Sequence, residues 1–306
     1  MKILFFGIYE IGIKTLEELL LLPTVEVIAV ITKHDSVYQS DSVIELAQKH
    51  NLLWFQAKSL NCEYVINTFK QLDFDLIVVA GFHLKIPHKI IKLAKIAAVN
   101  IHDSLLPDYR GPNASKWCII NGESKAGVTI HYLTDKLDDG EIIAQREILI
   151  SETDTSKTLF SKVSLTSAKL LADTIQFFQE EGYFPFIEKR SKGSYYSYPT
   201  YDETIIKWRE YDALKISRLV RGLNPSPGAC LEYKGNCYRV LEVEILNCDS
   251  QNKPGTIVSI SNKYIEVSTL TYDIRIIGVV KRINQDYSVN QFVIDSAIEV
   301  SSCFSI

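Results

Sequence analysis

The chain has 306 residues, 46% hydrophobic and 23% charged, a composition that buries a large core without disulfides or a structural metal and excludes a disordered chain. Its formal net charge is −4, with an isoelectric point near 5.9. That balance argues against a dedicated nucleic-acid binder, which normally carries a basic face, and favours a small-molecule substrate held by a few local groups.

KILFFG opens the chain as a continuous apolar strand, as expected for a strand covered on both faces; a Gly-bearing turn and a helix follow. VEVIAVIT (25–32) reads as the second strand and SVIELAQKHN (42–51) as a helix. EYVINTFKQL is helical, DLIVVAG (75–81) a strand, HKIIKLA a short helix and AAVNIH another strand. Alternation of this kind predicts an α/β domain with a right-handed parallel sheet. Ligands of such sheets sit beyond the carboxyl ends of the strands, where residues 7–12, 80–86 and 100–111 fall. GVTIHYL (127–133) and EIIAQREI (141–148) read as strands around the polar tip TDKLDDG, and TSKTLFSKVSLTSAKLLADTIQFFQEE as one long helix.

A Tyr/Ser/Gly-rich linker, KRSKGSYYSYPTYDETIIKW, interrupts the α/β pattern. Beyond helix ALKISRLVRGL and the turn NPSPG, alternation of period two predicts a small β-rich barrel or half-barrel. The expected division is therefore residues 1–199 and 200–306. Apolar residues between Ile274 and Val280 are expected in its core first, or else at a dimer interface. The six cysteines lack any CxxC pair, which predicts reduced thiols and a cytoplasmic protein. No signal peptide or membrane-length apolar run is read.

Several motifs fail on spacing. GIYEIGIKT (7–15) approaches a P-loop, but Ile13 separates the Gly from the Lys, and the phosphate cradle needs them adjacent. No HExxH, no clustered metal ligands and no Gly-x-Ser-x-Gly elbow occur, so neither a metal nor a serine nucleophile is expected.

VNIHDSLLPDYRG (99–111) is different. Asn100 and His102 stand two apart on a strand and therefore share a face, just before a Pro- and Gly-punctuated loop. An acid from TDKLDDG would complete a proton-handling and oxyanion-stabilising group. Residue pattern alone leaves Asp135, Asp138 and Asp139 open as that acid.

VNIHDSLLPDYRG, NGESKAGVTIHYLTDKLDDGEIIAQ and VRGLNPSPGA, in this order, resemble the 10-formyltetrahydrofolate-dependent formyltransferase family over nearly the whole chain. The resemblance implies a Rossmann-like first domain, a small β-rich, OB-like second one, and a catalytic group of Asn100, His102 and Asp138. It places the pterin of the co-substrate 10-formyltetrahydrofolate against backbone of Leu84, Lys85 and Ile86 and of Thr134, Asp135, Lys136 and Leu137. Tyr9, Glu10 and Arg110 are expected at the acceptor. Among the branches, IHDSLLPDYRGPNASKWCIINGE and the Tyr-rich linker are similar to sugar-nucleotide N-formyltransferases. That similarity implies a nucleotide-linked 4-amino sugar, dTDP-4-amino-4,6-dideoxyglucose first and UDP-4-amino-4-deoxy-arabinose second, in lipopolysaccharide or O-antigen synthesis. Methionyl-tRNA formyltransferase resembles the chain too, in NPSPGA and the β-rich tail, but TKHDSVYQSDSV is short and nearly uncharged where that enzyme carries a basic insertion. A non-catalytic folate- or sugar-binding module is the third reading. No membrane partner is expected, nucleic acid is disfavoured, and a homodimer is among the expectations. Pro112 stands where the arabinose enzymes carry Arg, which weakens that assignment.

Overall fold

The computed structural model describes residues 1–33, 40–189, 192–281 and 289–304; part of TKHDSVYQSDSV (34–39) lies outside them. Chain order begins β1 (Lys2–Gly7), α1 (Tyr9–Leu21), β2 (Glu26–Lys33), α2 (Ser40–Lys49), β3 (Leu53–Ala57), α3 (Glu63–Lys70), β4 (Leu76–Ala80), α4 (His88–Ile91) and β5 (Ala97–His102). It continues with α5 (Ala114–Asn121), β6 (Lys125–Tyr132), β7 (Ile142–Leu149), α6 (Ser156–Glu181), α7 (Tyr201–Thr204) and α8 (Ala213–Leu223). The last elements are β8 (Ala229–Tyr233), β9 (Asn236–Asp249), β10 (Ile257–Ile260), β11 (Ile265–Val267), β12 (Tyr272–Lys281) and α9 (Val289–Ser296).

Two compact units form. The first comprises Met1–Ala114, Lys125–Leu149 and Phe160–Tyr196, the second Ser115–Ser124, Ile150–Leu159 and the chain from Ser197 onward.

In the first unit seven strands lie in the order β3-β2-β1-β4-β5-β6-β7. The first five are parallel, whereas β6 is antiparallel to both β5 and β7. The sheet is thus mostly parallel and Rossmann-like, with an antiparallel pair added at one side. Period-two geometry divides the apolar strands between two cores. Leu4, Phe6, Ile31, Ile77 and Val79 pack with Ile66 and Phe69 of α3 and Ile90 of α4, while the alternate residues Ile3, Phe5, Val30 and Val78 are fully shielded on the other face. β3 has no counterpart in the sequence reading. Only Ala57 of its five residues is buried, so neither an apolar run nor alternation marks it. Strand order reverses between β1 and β4, the position at which an open α/β sheet leaves a crevice at its carboxyl edge.

In the second unit an antiparallel sheet runs β10-β11-β12-β9-β8. No ladder joins β8 to β10 among the described residues, so the sheet is the open, half-barrel form. α8 buries Ala213, Ile216, Leu219, Val220 and Leu223 at helical spacing, and the Asp212 side chain accepts the Lys215 N–H to cap its start. Trp208 stacks on Phe304, with centroids 5.5 Å apart. Ile274, Ile276 and Val279 are buried, and Ile277 is exposed, so the apolar stretch of β12 is mainly core.

One expectation fails here. Cys230 and Cys237 are joined as a disulfide, where all six thiols were expected reduced. The β8–β9 register pairs Cys230 with Arg239 and Glu232 with Cys237. The two cysteines are therefore diagonal neighbours on one sheet face, with Cα atoms 5.7 Å apart, inside the range a disulfide spans. Such pairing depends on strand register, which CxxC counting does not see.

Candidate active site

β5 delivers Asn100 and His102 to the carboxyl edge, and the antiparallel register sets Asn100 opposite His131 and His102 opposite Thr129 of β6. Two polar residues on each strand thus face two on its neighbour. The carboxylate comes from the loop between β6 and β7. Of its three acids only Asp138 is buried, at 6% exposure; the side chains of Asp135 and Asp139 are 69% and 40% exposed. Asp138 holds φ at 49°, a left-handed conformation that Asp tolerates better than most residues. The following Gly140 is obligatory, because a Cβ there would lie 1.7 Å from the Tyr132 carbonyl oxygen.

Asp138 is the hub. Its Oδ2 accepts the Gly111 N–H at 3.0 Å, and its Oδ1 lies 3.7 Å from His102 Nδ1 and 3.7 Å from His131 Nε2. His102 Nε2 donates to the Tyr109 carbonyl at 2.9 Å. That carbonyl can only accept, so Nε2 carries a proton and the ring turns Nδ1 toward Asp138, with Asp103 Oδ1 at 3.8 Å on the same nitrogen. Asn100 Nδ2 lies 3.1 Å from His131 Nε2.

The loop after His102 is clamped from two directions. Beneath it, Thr129 Oγ1 donates to Ser104 O at 2.6 Å and accepts from Leu106 N at 3.0 Å. Gln145 Nε2 reaches both Leu106 O and Thr129 Oγ1. Beside it, residues 194–196 of the Tyr-rich linker add a short parallel bridge: Arg110 N donates to Ser194 O and Tyr196 N to Arg110 O, Tyr109 N donates to Ser194 Oγ, and Tyr109 stacks on Tyr196 at 5.0 Å. Thr129→Val keeps the shape but orphans buried partners, each at about 1–3 kcal/mol. Denaturant unfolding should show a loss in that range, and a loss below about 0.5 kcal/mol would mean that Thr129 does not hold the loop.

The remaining sequence-picked residues divide. Tyr9 OH meets His83 Nε2 at 2.9 Å, at the crevice between β1 and β4. Glu10 is instead engaged by Ser161 Oγ of α6 at 2.8 Å. Arg110 places Nη1 3.9 Å from Asp139 Oδ1 and Nε 3.4 Å from Ser194 O. Leu84 is half-buried, Lys85 exposed and Ile86 buried, while Thr134, Asp135, Lys136 and Leu137 are exposed. His88 Nδ1 approaches Asp135 Oδ1 at 3.9 Å, which brings the 84–88 and 134–137 loops together. Among the described residues no cluster of His, Cys, Asp or Glu could hold a metal ion, and no helix is long and apolar enough to cross a membrane.

His131 and Thr129 are the residues sequence reading missed. Their signal was present: they stand two apart in an apolar strand, the same pattern that marks Asn100 and His102.

Burial, with the charge of His102 second, holds the His131 ring at a pKa of about 4, below its ordinary 6.5. The unfolded chain therefore binds a proton at this ring near pH 6.5 that the folded chain refuses until about pH 4. Stability should fall as pH drops through that window, by on the order of 3 kcal/mol. Denaturant unfolding at pH 7 and pH 4.5 measures the loss, and His131→Gln should remove this part of it. An unchanged pH slope in the variant would contradict the assignment.

Known proteins supply the comparison. Residues 1–175 match the family model for formyl transferase, and residues 200–295 the model for the formyl transferase C-terminal domain. The methionyl-tRNA formyltransferase of Staphylococcus aureus strain JH1 is 32% identical over 274 residues, covering 88% of this chain and 87% of that protein. The N-formyltransferase from Helicobacter canadensis, solved with folinic acid and dTDP-3-aminofucose, matches with a TM-score of 0.66 at 19% identity, over 90% of this chain and 99% of that one. HypX from Aquifex aeolicus, solved with tetrahydrofolic acid, gives 0.68 at 19% identity over 98% of this chain; the chain spans 48% of HypX, about half its length. The two solved structures share the fold. With both models matched in chain order and a relative above 30% identity across most of both sequences, the chain belongs to the formyl transferase family.

Proposed function

We propose that this chain transfers the formyl group of 10-formyltetrahydrofolate to the primary amine of a nucleotide-linked amino sugar. The observation that carries the reading is the convergence of Asn100, His102 and Asp138 beneath one clamped loop. In this reading His102 Nδ1, which faces the Asp138 and Asp103 carboxylates, takes the proton that the amine sheds as it attacks the formyl carbon. Asn100 donates a hydrogen bond to the formyl oxygen as charge develops there. The folate supplies the formyl group on N10. Products balance as the N-formylated amine and tetrahydrofolate, with the amine's proton ending on N10. Backbone of Leu84–Ile86 and of residues 134–137 would hold the pterin, an arrangement that fits the convergence of these two loops and the apolar Leu84 and Leu137 within them. Tyr9 and Arg110 are proposed at the acceptor, whereas Glu10, occupied by Ser161, would act there only through α1.

The sugar assignment rests on charge. A net −4 suits a single small anionic substrate better than the many phosphate contacts of RNA. Of the matched structures, the Helicobacter canadensis N-formyltransferase holds dTDP-3-aminofucose, and WlaRD is a sugar 3N-formyl transferase. dTDP-4-amino-4,6-dideoxyglucose is the first candidate and UDP-4-amino-4-deoxy-arabinose the second, with lipopolysaccharide or O-antigen synthesis the expected setting. A second reading, methionyl-tRNA formylation, is favoured by the 32% identity spanning both domains. Incubating the chain with 10-formyltetrahydrofolate and a panel of dTDP- and UDP-amino sugars, with initiator methionyl-tRNA alongside, separates the two. Formylation of the tRNA alone would replace the sugar reading, and tight folate binding without turnover of any amine would make the chain a binding module.

A further inference from the structure

His131 is 2% exposed, and both of its ring nitrogens are engaged. Nδ1 lies 2.9 Å from the Tyr132 carbonyl oxygen, which can only accept, so Nδ1 carries the ring's proton. Gly140 makes this contact possible, since a Cβ there would reach within 3.2 Å of Nδ1 and overlap the Tyr132 carbonyl. Burial keeps the ring neutral at pH 7, which leaves Nε2 as a bare lone pair. The opposite tautomer would set the Nδ1 lone pair against the Tyr132 oxygen, and its Nε2–H would find Asp138 Oδ1 only at 3.7 Å, beyond hydrogen-bond reach.

The bare Nε2 is 3.1 Å from Asn100 Nδ2. A carboxamide has two ends of nearly equal shape, one donating and one accepting. Rotated by half a turn, Asn100 would press Oδ1 against the His131 lone pair, two acceptors at hydrogen-bond distance. We infer that His131 is a positioning residue: its lone pair fixes the orientation of the Asn100 carboxamide, so that the nitrogen, with its second N–H, is the end held at the Asp138 side of the site. The inference rests on the reading of Asn100 as the donor to the formyl oxygen. It makes β6 the source of the chemistry that β5 presents, because the strand register sets residue 131 opposite residue 100.

Two measurements on the full-length chain test it. The first needs no substrate: nitrogen NMR of protein labelled with [15N]histidine at pH 7, with the His131 resonances assigned by their loss in His131→Gln. A protonated Nδ1 and a bare Nε2 are expected, and a ring protonated at Nε2 overturns the inference. The second is a double-mutant cycle read by formyl transfer to the acceptor found in the panel. His131→Leu should lower kcat by about 10- to 100-fold with KM for the folate within about 2-fold, and His131→Gln, whose side-chain oxygen can accept from Asn100, should recover all but about 5-fold. In the Asn100→Ala background His131→Leu should cost no more than about 2-fold. An undiminished cost in that background, or no recovery with Gln, means that His131 does not act through Asn100. Absence of turnover in the wild-type chain defeats the formyl-transfer reading instead, and the tautomer measurement still decides the role of His131. Should His131→Leu fail to fold, the Gln variant and the tautomer carry the test.

Discussion

His102→Ala is expected to lower kcat by about two to four orders of magnitude, the usual contribution of a positioned general base. The ring's Nε2 is committed to the Tyr109 carbonyl, so only Nδ1 can receive a proton, and it faces two carboxylates. Removing the ring removes the nitrogen that the proposed reaction uses as its base. Folding should survive. The truncation opens a small buried space and leaves one carbonyl without its donor, together about 1–3 kcal/mol, while the two clamps on the loop remain. Turnover of purified variant and parent at saturating substrates, beside their circular dichroism melts, checks both halves. A folded variant with near-parental turnover would remove His102 from the chemistry.

The second large effect is expected from Asn100→Ala. Loss of one preorganised oxyanion donor typically raises the barrier by about 2.7–4 kcal/mol, which is about 10²–10³ in kcat. Asn100 is half-buried and its side chain meets His131 alone among the hydrogen bonds described here, so truncation disturbs little else. Substrate KM values should therefore stay near those of the parent, because the interaction strengthens only as charge develops. A variant that raises KM and leaves kcat intact would place Asn100 in binding rather than catalysis.

Much of this could be read from residues alone, and the reasons for the rest are specific. Strands β1, β2, β4 and β5 are legible because burial on both faces makes them apolar runs with helical patterns between them. The edge strand β3 is half exposed and carries no such mark. Asn100 and His102 stand out through strand periodicity, a local property. Selecting among the acids of TDKLDDG was beyond pattern reading, because three carboxylates in one turn differ only in how the loop curls, and burial of Asp138 is a tertiary fact. His131 carried a legible two-apart pattern with Thr129, but its partner is known only once the antiparallel register sets it opposite Asn100. The disulfide of the β8–β9 hairpin eluded the sequence for the same reason, register between strands.

Residues 194–196 carry a temporal consequence. Tyr109 and Ser194 are 85 positions apart, and closing so long a loop is an entropic cost met only when the distant partner exists. While the chain is being synthesised, the backbone N–H groups of Tyr109 and Arg110 lack these native partners until Ser194 emerges. The family's first domain is already matched by residue 175, yet a chain stopped there lacks the segment that fixes the carbonyl holding His102. The contacts that hold this loop are complete only some twenty residues after the family's first domain ends.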